Sequence, residues 1–212
     1  MNYITLAKRH QIEILVNKSK FIATASPVRT EEEASKFISE MKKEYWDATH
    51  NVYAYVIGEN NDMVKSSDDG EPSGTAGRPT LEALKMENIK YTAVVVTRYF
   101  GGILLGASGL VRAYGKATKE CISTAQKLAK RLCQSIEFEM QYSDYNGVER
   151  FIKNFDCFLI NSKFEENVKM SLLIPVEGVE EFDLRMKELL FGNYNPQRLE
   201  IEYKDVEYND YG

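Results

Sequence analysis

The sequence has few of the features that mark several large protein classes. Its three cysteines are widely spaced and form no C-x-x-C pair, so we expect neither a disulfide framework nor a zinc site, and a reducing cytoplasm fits best. With 13 glycines and 5 prolines in 212 residues, it is neither collagen-like nor of low complexity. Its apolar runs are far shorter than the roughly 18 residues of a membrane span, and the N-terminus shows no secretory stretch. We therefore expect a cytoplasmic globular protein without a membrane anchor.

Charge is distributed unevenly along the chain. The net charge is −5, from 27 Lys and Arg against 32 Asp and Glu. Residues 1–133 contain 19 basic and 15 acidic side chains, whereas residues 134–212 contain 8 and 17. A shift of this size predicts two domains, over 1–133 and 134–212. The basic first half is the better candidate for contact with an anionic partner.

The hydrophobic pattern predicts an α+β protein in which the first domain has helices on one face of a mixed sheet. In the first half we expect strands over 12–16, 21–25, 51–57 and 91–97, and helices from the Thr30 and Glu33 capping box to 44, over 79–87 and over 107–132. In the second half we expect strands over 136–141, 157–161, 169–175 and 198–203, and helices over 144–154 and 179–190. That second β-α-β-β-α-β order is the pattern of a ferredoxin-like domain.

An acidic, glycine-rich loop precedes the second predicted helix. Three glycines within eight residues permit close backbone approach, and free N–H groups at the helix start could hold an anion. However, Asp68, Asp69 and Glu71 disfavour phosphate, and the spacing does not match a P-loop. These carboxylates could chelate Mg²⁺, or they could serve only as caps of the loop and its helix. On the residues alone, the capping interpretation is favoured.

A second glycine-rich segment, over 98–109, lies between a predicted strand and the longest predicted helix. This is the placement of a phosphate-binding turn, but its glycines match neither the dinucleotide fingerprint nor the nucleophile elbow. At 100° per residue, one stripe of the helix carries Arg112, Lys116, Lys119, Ser123, Lys127 and Lys130. Such a stripe either contacts phosphates or is a solvated face.

Four blocks of the first half, over 46–51, 68–79, 93–106 and 109–115, resemble the IMPACT family. With the acidic second half, the chain is similar to the bacterial YigZ-like branch of that family. The resemblance implies a first domain like domain IV of elongation factor G and ribonuclease PH, and a second like domain V of that factor. It supplies no catalytic residue. Its motif loop comprises Asp69, Gly70, Glu71, Pro72, Ser73, Gly74, Thr75 and Gly77.

From these patterns and the resemblance we expect a non-enzymatic regulator of translation that binds RNA or the ribosome, without a cofactor or a metal. The expected phosphate contacts are Arg98, Arg112, Lys116 and Lys119, with Gly101, Gly102 and Gly109 permitting close approach of the backbone. One alternative is a metal-dependent hydrolase built on Asp68, Asp69, Glu71 and His50. Another is an adaptor that uses the same loops to dock a protein partner.

Overall fold

The computed structural model describes residues 2–208 and confirms the predicted α+β class. The chain divides into two compact units, one over 2–129 together with the last described residues, and one over 130–206. No helix among the described residues is long and apolar enough to cross a membrane.

The first unit is built around an antiparallel sheet. The strands of this unit are β1 (Tyr3–Leu6), which lies outside that sheet, and β2 (His10–Val16), β3 (Ser19–Pro27), β4 (His50–Ile57), β5 (Met63–Ser67) and β6 (Thr92–Tyr99), which form it. The helices of the unit are α1 (Glu31–Glu44), α2 (Gly77–Met86) and α3 (Gly106–Thr124). The sheet order is β2-β3-β6-β4-β5, and every pair in it is antiparallel, so the sheet is not mixed. Thr30 caps α1 as predicted, since its Oγ1 accepts a hydrogen bond from the N–H of Glu33 at 3.2 Å. The Glu33 carboxylate accepts from the N–H of Arg29 at 2.7 Å instead of from Thr30, so the reciprocal bond of a capping box is displaced by one residue.

Helices cover both faces of this sheet, which corrects the expectation of helices on one face. Val94 and Val96 of β6 belong to the core under α2 and α3, whereas Ala93 and Val95 belong to the core under α1. Successive side chains of a strand point to opposite faces, so a strand that is apolar at every position is buried on both. The uninterrupted apolar run of β6 therefore reflects a three-layer arrangement.

The longest helix is shorter than predicted. α3 ends at Thr124, whose hydroxyl donates back to the Glu120 carbonyl at 2.8 Å, and Ala125 is already extended. The next segment enters a strand, so Lys127 and Lys130 lie outside the helical stripe. Their ammonium groups face carboxylates instead, Lys127 that of Glu87 at 3.6 Å and Lys130 that of Asp205. The stripe is thus confined to the residues before Thr124.

The second unit confirms the β-α-β-β-α-β order. Its elements are β7 (Lys127–Met140), α4 (Tyr142–Ile152), β8 (Phe158–Phe164), β9 (Val168–Pro175), α5 (Val179–Leu189) and β10 (Gln197–Glu207). β7 pairs with β9 and β10, and β9 pairs with β8, which gives the ferredoxin-like order β10-β7-β9-β8. The division between the units lies at 129/130, within β7, four residues before the boundary expected from charge.

Candidate nucleic-acid interface

Asp68 directly precedes the motif loop and holds its backbone. Its Oδ1 accepts hydrogen bonds from the N–H groups of Ala76 (3.0 Å) and Gly77 (2.8 Å), and its Oδ2 accepts one from Gly74 (2.9 Å). Burial opposes ionisation of this carboxyl, but the three N–H donors outweigh burial and lower the pKa of Asp68. This carboxylate therefore caps the start of α2.

Asp69 ties the loop to the neighbouring strand and helix. Its Oδ2 accepts from the N–H of Asn51 at 2.7 Å, and its Oδ1 accepts from Lys42 Nζ at 2.5 Å. Its carbonyl oxygen lies 2.8 Å from His50 Nδ1. The next residue, Gly70, has φ of +90°, a conformation that favours glycine. Both carboxylate oxygens of Asp69 thus accept hydrogen bonds from donors within the protein.

Glu71 is the centre of a buried polar cluster. Its Oε1 accepts from Arg98 at 2.6 Å and from the Tyr114 hydroxyl at 2.8 Å, and its Oε2 lies 3.8 Å from His50 Nε2. The side chains of Glu71 and Arg98 are only 3% and 6% exposed. Burial is the main cause that raises the pKa of Tyr114, and the negative charge of Glu71 is the second. The Tyr114 hydroxyl therefore stays protonated and donates to Glu71.

The rest of the motif loop is held by local contacts. Thr75 Oγ1 donates to the Pro72 carbonyl at 2.6 Å, whereas Ser73 and Gly74 are exposed. A Cβ on Gly77 would lie 2.7 Å from the Ser67 carbonyl carbon, so only glycine fits where α2 begins against β5. Within residues 2–208, no group of three or more His, Cys, Asp or Glu is placed to hold a metal ion. The geometry of the loop supports its capping interpretation.

Arg98 is buried and paired inside the protein, which argues against its predicted role as a phosphate contact. Its guanidinium carbon lies 5.5 Å from the ring centroids of both Phe21 and Phe100, and one guanidinium nitrogen pairs with Glu71. Its Nε is buried without a hydrogen-bond partner among the described residues. The charge of Arg98 is thus already balanced within the protein by Glu71.

The glycines after Arg98 serve different purposes. A Cβ on Gly101 would lie 2.1 Å from the Lys18 carbonyl, so Gly101 is needed where the chain crosses the β2–β3 turn. Gly102 has φ of +82° and open space around it, so its requirement is conformational. On α3, a Cβ on Gly109 would lie 3.0 Å from Leu105 Cβ. Close packing explains Gly101 without a ligand, whereas Gly102 lies on the surface.

Three cations remain on the outer face of α3. Arg112, Lys116 and Lys119 are exposed and, at 100° per residue, lie within about 60° of one another. We call these residues the α3 stripe. Among the described residues, an ion pair is found for Lys116 alone of the three, with Glu120 3.6 Å away on the surface. The first turn of α3 contains no acidic residue, and no described side chain caps it. The N-terminal half of this face therefore attracts anions.

The fold and this surface define a two-unit α+β protein with an exposed basic helix on its first unit and a ferredoxin-like second unit. The Impact N-terminal domain matches residues 17–122, and a domain of unknown function, DUF1949, matches residues 138–193. IMPACT family member YvyE of Bacillus subtilis is 40% identical over 98% of this chain and 96% of its own. The chain therefore belongs to the IMPACT family.

Other relatives cover different shares of the chain. IMPACT family member YigZ of Escherichia coli is 33% identical over 88% of this chain and 92% of its own. Human Protein IMPACT is 36% identical, but over only 46% of this chain and 31% of its own. A crystal structure titled as a hypothetical protein is 29% identical, covers 94% of this chain and 98% of its own, and has a TM-score of 0.60.

Proposed function

We propose that this protein is a non-enzymatic, cytoplasmic regulator of translation that binds RNA, free or within the ribosome, through the α3 stripe. The observation that carries the proposal is the exposed row of Arg112, Lys116 and Lys119 beside an uncapped helix start. Membership of the IMPACT family, which is related to translational regulation, supports the same function.

The spacing of the stripe suits a phosphate backbone. At 1.5 Å per residue, Arg112 and Lys116 are offset by about 6 Å along the helix axis, and Lys116 and Lys119 by about 4.5 Å. Side chains on neighbouring turns can thus contact successive phosphates. Residues 99–111, which precede the stripe, contain no charged side chain, so nothing in that segment repels a polyanion. Binding of this kind releases counterions and weakens as salt rises.

The contacts of Asp68 and of the motif-loop carboxylates favour this function over a metal-dependent hydrolase. Asp68 and Asp69 each accept backbone hydrogen bonds, and Glu71 balances Arg98 in the interior. Recruiting these groups to a metal would remove a cap and break a buried ion pair. For the second unit, we propose contact with a basic protein partner, because residues 134–212 carry 17 acidic and 8 basic side chains.

The proposal predicts that Lys116→Gln with Lys119→Gln weakens binding to RNA of any sequence. Each lost phosphate contact removes about 0.7 to 0.9 from the slope of log affinity against log salt, so the double variant should flatten that slope by about 1.4 to 1.8. Glutamine keeps helix propensity close to that of lysine, so folding should be retained. The measurement is anisotropy of a labelled RNA hairpin, and cosedimentation with ribosomes, between about 50 and 200 mM salt.

A matched control is available on the opposite face of the same sheet. Lys36 and Lys43 are exposed on α1, so Lys36→Gln with Lys43→Gln removes the same charge from the same unit. This control should leave the salt slope unchanged. Equal effects of the two double variants would mean that net charge, and not the α3 stripe, governs binding. Unchanged binding in the α3 variant would contradict the proposed site.

A further inference from the structure

Two exposed aromatic side chains lie on loops that are hydrogen-bonded to each other. Trp46, the single tryptophan of the chain, is 82% exposed, and Phe100 is 45% exposed. Between their loops, the Phe100 N–H donates to Thr49 Oγ1 at 3.1 Å, and the Tyr99 hydroxyl donates to Asp47 Oδ1 at 2.8 Å. The two loops that carry these aromatic residues therefore lie side by side on the first unit.

We call residues 45–49 and 99–104 the aromatic loops. The second of them also exposes two aliphatic side chains, Ile103 and Leu104. Large apolar side chains grouped on a surface cost solvation free energy, and such groups mark binding sites. The aromatic loops are thus a candidate contact surface that the proposed phosphate contacts do not use.

Phe100 is held in place although its ring is partly exposed. The Arg98 guanidinium covers one side of the ring at 5.5 Å, and the ion pair with Glu71 fixes that guanidinium. The following residue, Gly101, packs directly on the backbone of Lys18. A ring fixed before binding loses little conformational entropy when a ligand stacks on it. The buried cluster therefore supports the exposed ring.

The aromatic loops are connected to the α3 helix. Tyr114 of α3 and Arg98 share the carboxylate oxygen of Glu71, at 2.8 and 2.6 Å, and Arg98 contacts Phe100. The chain also passes from the second loop straight into the first turn of α3, with no charged side chain before Arg112. A polyanion bound along the α3 stripe can therefore continue past the helix start to the aromatic loops.

We propose that the aromatic loops stack unpaired nucleobases, so that the RNA bound by this protein is single-stranded where it passes Trp46 and Phe100. The inference rests on the proposed function, because the α3 stripe holds the adjoining phosphates. In a duplex the faces of the bases are already stacked on one another, whereas unpaired bases can stack on aromatic side chains. The aromatic loops could instead contact an apolar protein surface, but the cations of the neighbouring α3 stripe favour a polyanion.

The test uses Trp46→Ala combined with Phe100→Leu in the full chain. Leucine keeps an apolar cover over Arg98 while removing the aromatic face. Stacking contributes about 1 to 3 kcal/mol per base, so loss of one stacked base should weaken binding of a labelled oligouridine about 5- to 150-fold. Binding of a labelled RNA duplex should stay within about twofold of wild type. The control is Phe191→Ala, since Phe191 is 89% exposed on the second unit.

A direct signal comes from Trp46 itself. Oligouridine should quench the emission of this single tryptophan in the wild type, and the duplex should not. If single-stranded RNA and duplex bind equally and the double variant binds both normally, the stacking inference is wrong while the proposed function stands. If the wild type binds no RNA in either form, the proposed function fails and this inference fails with it. Loss of binding in Phe191→Ala equal to that of the double variant would also overturn the assignment.

Discussion

The buried pair of Glu71 and Arg98 gives the sharpest stability prediction. Glu71→Gln keeps the side-chain shape and an acceptor for Tyr114, but leaves the Arg98 charge without its counter-charge in the interior. Removing one partner of a buried ion pair costs about 3 to 5 kcal/mol, and the retained hydrogen bond places this variant near the lower limit. A loss of about 3 kcal/mol should lower the unfolding midpoint of the first unit by roughly 10 °C.

The assay is thermal and urea unfolding followed by circular dichroism. The matched control is the surface pair of Arg9 and Glu40, whose 2.9 Å contact is similar but whose side chains are 47% and 44% exposed. Glu40→Gln should cost less than about 1 kcal/mol, because exposed pairs are screened by solvent. If both glutamine variants lose the same stability, burial does not strengthen the pair of Glu71 and Arg98.

Three further outcomes follow from local geometry. Gly101→Ala should cost at least about 2 kcal/mol in urea unfolding, because its Cβ would meet the Lys18 carbonyl, and a cost below about 0.5 kcal/mol would contradict that packing. Gly115→Ala, inside α3 with open space around it, should instead stabilise by about 0.5 to 1 kcal/mol, and any destabilisation would argue against an ordered helix there. Asp68→Asn should cost about 1 kcal/mol at neutral pH. Because the folded pKa of Asp68 is lowered, this difference should persist above the ordinary pKa of an aspartate and shrink as the pH falls through the folded pKa.

Much of the fold could be predicted because local signals agreed with the tertiary structure. The capping box at Thr30 and Glu33 and the apolar face of α1 locate that helix to within a residue. The strands expected over 12–16 and 21–25 form and pair with each other, and Asn17 and Lys18 both have positive φ in the turn between them. In the second half, the order of the predicted strands and helices already matched the ferredoxin-like pattern. These elements need no long-range information to be recognised.

The end of α3 was missed because periodicity alone does not separate a helix from a half-buried strand in the segment after Thr124. Lys127 and Lys130 fit the helical stripe in angle, but each has a carboxylate partner in the fold that lies far away in the sequence. Only tertiary structure supplies Glu87 and Asp205 as those partners. The shortened helix therefore carries a shorter basic stripe than the sequence indicated.

Arg98 was missed for a different reason, and here a usable signal was present. Val94 and Val96 face the core under α2 and α3, and a residue two positions further along a strand faces the same side. This alternation places Arg98 inside, where a cation needs an acid. The acids of the motif loop were considered as metal ligands or caps, so the pairing with Glu71 was not anticipated.

The motif loop and the glycine-rich segment over 98–109 are thus joined by one buried cluster of side chains. The motif loop contributes Glu71, and the second glycine-rich segment begins with Arg98. Arg98 and Tyr114 of α3 both donate hydrogen bonds to Glu71, so the three side chains form one buried cluster. Because that cluster is buried, substitutions in it should act first through stability and through the position of Phe100. The residues free to meet a partner are the exposed ones around it, on the α3 stripe and the aromatic loops. A variant that loses RNA binding while its unfolding transition is unchanged can therefore be assigned to this outer surface, and a variant that loses both can be assigned to the buried cluster.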